Sequence, residues 1–215
     1  MKFEHIFFDL DGTLTDSQDG ILNSFKNVFI HFGLEIPDYQ TLCTYIGPPL
    51  PFTFTEILGF SKEKVEESIK VFRNYYNEKG YLENRVYEGI PQLLAALNEN
   101  GFKLSVATSK PEVTAKKIIE NFCLDKYFDH ICGSASDESR SKKSEVIEYA
   151  IETNKIADRS KILMVGDRKF DVEGAAQTGL KCAGVLFGYG SEEELKKAGA
   201  AFIAKTPADI LKFVL

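Results

Sequence analysis

Two aspartates stand two residues apart directly behind a short apolar run: Phe3-Glu4-His5-Ile6-Phe7-Phe8 leads into Asp9-Leu10-Asp11-Gly12-Thr13. Carboxylates at the end of a buried segment repel each other unless a cation intervenes. Asp167 follows the apolar stretch Ile162 to Val165 in the same way, inside Gly166-Asp167-Arg168-Lys169-Phe170-Asp171. Thr108-Ser109-Lys110 follows Lys103 to Ala107, and Lys142-Lys143 opens a helical pattern further on. Together these residues hold oxygen ligands for a hard divalent cation such as Mg²⁺, a carboxylate nucleophile, and donors for phosphate oxygens. Phosphoryl transfer is the chemistry that needs this set. Asp171 has a second reading as a helix cap, and Asp16 and Asp19 read as turn or cap residues. His5, His31 and His130 form no constellation. Arg168 and Lys169 read as rim charges.

These residues can meet only if strands carry them to one edge. Five short apolar segments read as buried strands: Phe3 to Phe8, Lys103 to Ala107, His130 to Cys132, Ile162 to Val165 and Cys182 to Val185. Helical patterns lie between them, with Leu93, Leu94 and Leu97 stopping at Gly101, and Val172, Ala175 and Ala176 stopping at Gly179. Ser191-Glu192-Glu193-Glu194 is a capping box, and Thr206-Pro207 opens a last short helix. Alternation of this kind predicts an α/β fold with a Rossmann-like parallel sheet, whose ligands bind beyond the carboxyl ends of the strands.

The alternation is interrupted once. Residues 16–84 contain no convincing buried strand and read as an inserted helical cap, leaving residues 1–15 and 85–215 as the α/β core. Ile21, Leu22, Phe25, Val28, Phe29 and Phe32 share one helical face, and a second long helix opens at Ser61 and runs to Gly80. Pro48, Pro49 and Pro51 between them demand a loop or a broken helix pair. Phe25, Phe29, Phe32, Phe72 and Tyr75 suit the core of a small helical bundle. Tyr45, Phe52 and Phe54 flank the proline-rich turn, where one of them is a candidate platform for a nucleobase.

Composition narrows the remaining classes. The 215 residues carry 26 basic and 32 acidic side chains, a formal charge of −6, so the basic stripe of a duplex nucleic-acid binder is not expected. No apolar run approaches the ~20 residues that span a bilayer, and Asp9 and Asp11 cut short any signal-like segment. Cys43, Cys123, Cys132 and Cys182 show no metal-ligand spacing and read as reduced, buried thiols. A soluble cytoplasmic protein is expected, monomer or homodimer, without membrane or nucleic-acid polymer partners.

Asp9-x-Asp11-Gly12-Thr13, Thr108, the Lys142/Lys143 pair and Gly166-Asp167-x-x-x-Asp171 resemble, in order and context, the four motifs of the haloacid dehalogenase-like hydrolase superfamily. Asp-Gly-Thr-Leu-Thr-Asp-Ser, Ile-Gly-Pro-Pro-Leu and Ala-Thr-Ser-Lys-Pro are similar to its phosphoglycolate phosphatase-like and bacterial 5′-nucleotidase-like branch. The resemblance implies that Asp9 attacks phosphorus to form an aspartyl-phosphate and that Asp11 acts as acid, then base. It implies Mg²⁺ between the Asp9 carboxylate, the Asp11 carbonyl and Asp167, with Asp171 in support. Thr108 and the Gly12 N–H, with Ser109 beside them, would hold the phosphoryl oxygens. Lys143 matches the family's lysine better than Lys142, although the two stand about 100° apart on a helix and only one can face the site. The implied activity is a Mg²⁺-dependent phosphomonoesterase on a small metabolite, either a nucleoside 5′-monophosphate or phosphoglycolate. The alternative is a phosphomutase of the β-phosphoglucomutase type.

Overall fold

The computed structural model describes residues 3–135 and 139–215. Along the chain run β1 (His5–Phe8), α1 (Gln18–His31), α2 (Lys62–Glu78), α3 (Ile90–Glu99), β2 (Lys103–Pro111), α4 (Glu112–Asn121) and β3 (His130–Ser134). Then follow α5 (Lys143–Thr153), β4 (Ile162–Gly166), α6 (Lys169–Gln177), β5 (Lys181–Val185), α7 (Glu192–Ala198), β6 (Phe202–Ala204) and α8 (Pro207–Val214). The chain divides into two compact units, one of residues 1–16 with 86–215 and one of residues 17–85.

In the first unit the six strands form one sheet in the order β3-β2-β1-β4-β5-β6. Every adjacent pair is parallel. β1 is central because Ile6, Phe7 and Phe8 are fully buried and tolerate neither face in water. Phe7 lies in register with Ser105 on one side and Met164 on the other. Beneath it Val146, Ile147 and Ala150 of α5 and Val172 and Ala175 of α6 close one core layer. The strand order reverses between β1 and β4, so a crevice opens beyond the carboxyl ends there.

Two strands differ from expectation. β6 was not legible: Phe202-Ile203-Ala204 is a three-residue edge strand, too short for a periodic signal. β2 continues past Ala107 to Pro111, so Thr108, Ser109 and Lys110 belong to the strand, and its register against β3 shifts between Ala107 and Pro111. Irregular pairing of this kind re-aims side chains at a sheet rim. The cysteines also differ, because all four are free but only Cys132 and Cys182 are buried; Cys123 is exposed.

The unit of residues 17–85 is helical, with α1 packed on α2. Ser61 caps α2 by accepting from the Lys64 N–H. Phe25 is the centre of its core, with ring centroids 4.9 Å from Phe72, 5.3 Å from Tyr45 and 5.7 Å from Phe54. Tyr45 and Phe54 are therefore core residues, not free platforms, and of the three candidates only Phe52 is open, at 51% exposure. At the end of α2 the buried aromatic is Tyr76, while Tyr75 is half-buried and donates its hydroxyl to Glu83 at 3.0 Å. The proline-rich stretch resolves as the short turn Leu50–Phe52 passing into a wider π-type turn, Thr53–Ile57.

Candidate active site

Asp9 leaves β1 with its N–H donated to Val165 at 2.9 Å, which ties it to β4. The next residues fold into a tight turn in which Thr13, Leu14 and Thr15 all donate to the Leu10 carbonyl. Gly12 closes that turn with φ +79°, and a Cβ there would overlap the Asp167 carboxylate. Only glycine allows both. The Gly12 N–H donates to the Thr15 carbonyl at 2.8 Å, so in this structure that donor is engaged inside the turn.

Asp167, fully buried behind β4, accepts the Tyr189 N–H at 2.8 Å and the Thr13 hydroxyl at 3.4 Å. Asp171 lies in the first turn of α6 and does two things at once. One oxygen caps the helix by accepting the Arg168 N–H at 3.0 Å, and the other lies 2.8 Å from Lys143 Nζ. The cap reading thus holds, and the same carboxylate also anchors the lysine. One oxygen each of Asp9, Asp167 and Asp171 falls within 4.8 Å of the others.

Lys143 begins α5, and its buried ammonium is surrounded by acceptors: Asp9 at 2.8 Å, Asp171 at 2.8 Å and the Ala107 carbonyl at 3.1 Å. Lys142 is exposed, and its N–H joins that of Ser141 on the Glu145 carboxylate. Asp11 turns its carboxylate to Lys110 Nζ at 2.9 Å. Thr108 is buried with its hydroxyl oxygen accepting the Lys110 N–H at 3.2 Å, and Ser109 is exposed. Tyr189 was not named from sequence, and Lys110 was named only within Thr108-Ser109-Lys110, with no role of its own. Lys110 had a signal, since it stands two residues beyond Thr108 on the same rim. Tyr189 had none, because it reaches Asp167 through its backbone, and its hydroxyl donates to Asp16 at 3.0 Å. Asp16 is consequently an acceptor within the first unit, while Ser17 takes the position before α1.

Burial, then the neighbouring Asp171 and Asp9, push the Asp167 carboxyl well above its ordinary range. Asp171 is pushed up to about 6 by burial, with Lys143 opposing the shift. Burial works against the Lys143 charge, but Asp171 and Asp9 outweigh it and hold the ammonium above its usual range. Three carboxylates with one lysine leave a buried excess of negative charge. An all-oxygen donor set with that excess fits a hard divalent cation.

A model of the haloacid dehalogenase-like hydrolases matches residues 6–185. The chain belongs to that family. A 5′-nucleotidase of Pseudomonas aeruginosa is 41% identical over 196 residues, covering 91% of this chain and 88% of the relative. A phosphoglycolate phosphatase of Aquifex aeolicus is 33% identical over 212 residues, covering 97% and 95%. The crystal structure of a predicted phosphatase from Clostridium acetobutylicum superposes with a TM-score of 0.94 at 43% identity, covering 100% of this chain and 99% of that one. This haloacid dehalogenase-like protein is a phosphatase, a phosphoric monoester hydrolase. Among its described residues no helix is long and apolar enough to cross a membrane.

Proposed function

We propose that this phosphatase is Mg²⁺-dependent, works through an aspartyl-phosphate on Asp9, and takes a nucleoside 5′-monophosphate in preference to phosphoglycolate. The observation that carries the catalytic part is the position of the Asp9 carboxylate, 2.8 Å from a buried lysine and grouped with Asp167 and Asp171. Asp9, Asp167 and Asp171, with the Asp11 carbonyl, would hold the cation, which supplies charge stabilisation for phosphate and nucleophile.

An Asp9 oxygen attacks phosphorus, a P–O bond to Asp9 forms, and the bond to the leaving alcohol breaks. The Asp11 carboxyl, protonated when the substrate is bound, gives its proton to the departing oxygen, and the carboxylate that results is the form the Lys110 ammonium pairs with at 2.9 Å. Water then attacks the acyl-phosphate, Asp11 takes its proton, and inorganic phosphate leaves with Asp9 restored. Thr108 and Lys143 offset charge on the phosphoryl oxygens, and catalysis is mostly positioning and electrostatics.

The substrate preference rests on the nucleotidase relative and on Phe52, the one open aromatic of the three beside the proline-rich turn. Phosphate release from a panel of nucleoside monophosphates and phosphoglycolate, in EDTA and after Mg²⁺ addition, tests both parts. Activity restored by Mg²⁺, with nucleotides turned over fastest, is the expected result. Undiminished turnover in metal-free buffer would falsify the cation assignment, and a phosphoglycolate preference would reverse the substrate assignment.

A further inference from the structure

We propose that Arg140 is a positioning residue that holds the Thr108–Lys110 rim and the Lys143 helix in register with each other; the inference rests on the catalytic roles proposed above for those residues. The Arg140 side chain reaches three elements. Its Nε donates to the Gly133 carbonyl at the end of β3 at 2.9 Å. One terminal nitrogen stands 3.6 Å from the carboxylate of Glu112, the first residue of α4, and the guanidinium lies 3.7 Å over the ring of Tyr149 on α5.

Each partner leads to the site. Glu112 directly follows the strand that carries Thr108 and Lys110, and its carboxylate also accepts the Gly133 N–H at 3.3 Å. A Cβ on Gly133 would overlap the Glu112 backbone, so this junction admits no side chain. On the other side, Arg140 stands three residues before the start of α5 at Lys143, and its carbonyl accepts the Ala135 N–H at 3.1 Å. A planar guanidinium can donate in two directions and stack in a third, which an ammonium cannot. Arg140 is 23% exposed at its side chain, so the long ion pair contributes little to stability by itself. Its consequence is geometric. Displacements of about 1 Å at a reacting centre cost on the order of a hundredfold in rate.

The test compares wild type, Arg140→Ala, Arg140→Lys and Lys143→Met with p-nitrophenyl phosphate in Mg²⁺, together with inhibition by inorganic phosphate and the Mg²⁺-induced shift in melting temperature. For Arg140→Ala we expect kcat to fall at least about tenfold and the phosphate inhibition constant to rise. The Mg²⁺-induced melting shift should hold at the wild-type value, because Asp9, Asp167 and Asp171 are untouched. Arg140→Lys should melt like wild type yet recover only a minor part of kcat. A folded Arg140→Ala with kcat within twofold of wild type overturns the proposal, as does full recovery by lysine. If Arg140→Ala does not fold, Glu112→Gln takes its place with the same expected split, and a wild-type kcat there overturns the proposal equally. Should Lys143→Met itself turn over at the wild-type rate, the catalytic reading of the site fails; an inactive Lys143→Met beside a fully active Arg140→Ala removes the positioning role alone.

Discussion

Replacing Lys143 by methionine keeps an unbranched side chain one atom shorter and deletes its charge. The ammonium is buried against Asp9 and Asp171, each 2.8 Å away, so the variant leaves two carboxylates facing Asp167 with no protein cation between them. Breaking a buried ion pair from one side costs about 3–5 kcal/mol. At this chain length 1 kcal/mol moves the melting temperature by roughly 2–4 °C. The expected loss in EDTA is therefore about 6–20 °C.

The loss has a pH signature. In the wild-type protein Asp171 goes from an ordinary 3.8 to about 6 on folding. The folded state then binds the extra proton, and stability falls as pH rises from 3.8 towards 6, by about 3 kcal/mol, and levels off above it. Without Lys143 the charge opposing that shift is gone, so the window widens upward. The Lys143→Met defect should be small at pH 5 and large at pH 8. Lys142→Met is the control, since that side chain is exposed and should change neither melting nor kcat/KM. Thermal melts in EDTA at both pH values, with kcat/KM in Mg²⁺, make the measurement. Equal effects of the two lysine variants, or a Lys143→Met protein melting within about 2 °C of wild type at pH 8, would refute the reasoning.

Asp9→Asn should lower turnover by at least about 10³-fold, as for other members of a catalytic unit, while the metal-free protein melts at the same or a higher temperature, because one of three grouped like charges is gone and Lys143 keeps its pair with Asp171; a tenth of wild-type activity would exclude covalent catalysis through Asp9. At a hundredfold excess over its dissociation constant, a bound cation stabilises by about 2.7 kcal/mol, or roughly 5–11 °C here. Asp167→Asn should abolish that Mg²⁺-induced rise, and an undiminished rise would remove Asp167 from the ligand set. Phe52→Leu should weaken nucleotide binding by about 1–3 kcal/mol, the scale of base–aromatic stacking, without altering the melt or acetyl phosphate hydrolysis; equal kcat/KM for nucleotides in both proteins would end the case for stacking. Phe54→Ala, by contrast, empties a core position and should cost about 3–5 kcal/mol whatever the substrate, which a denaturant titration reads directly.

The sequence alone determines the architecture and the membership of the acidic group for one reason: local pattern carries both. Apolar runs of strand length that stop at Asp9 and Asp167 announce buried strands and mark their carboxyl ends, and a parallel sheet brings such ends to one edge. The helical character of residues 17–85 is equally local, written in the spacing of Leu22, Phe25, Val28 and Phe29. What required the tertiary structure was every choice between chemically equivalent residues. Lys142 and Lys143 are identical in type and adjacent, and only the packing of α5 decides which one is buried among acceptors. Tyr45, Phe52 and Phe54 are all aromatic, yet Phe25 draws two of them into the core and leaves the third in solvent. The Gly12 N–H meets the Thr15 carbonyl, a partner that the motif does not name. Lys110 on Asp11, Tyr189 on Asp167 and Arg140 on Glu112 join elements that local pattern does not connect. Periodicity reports which face of an element is apolar, but not which distant group will stand opposite it, and in this protein those distant groups aim the charges.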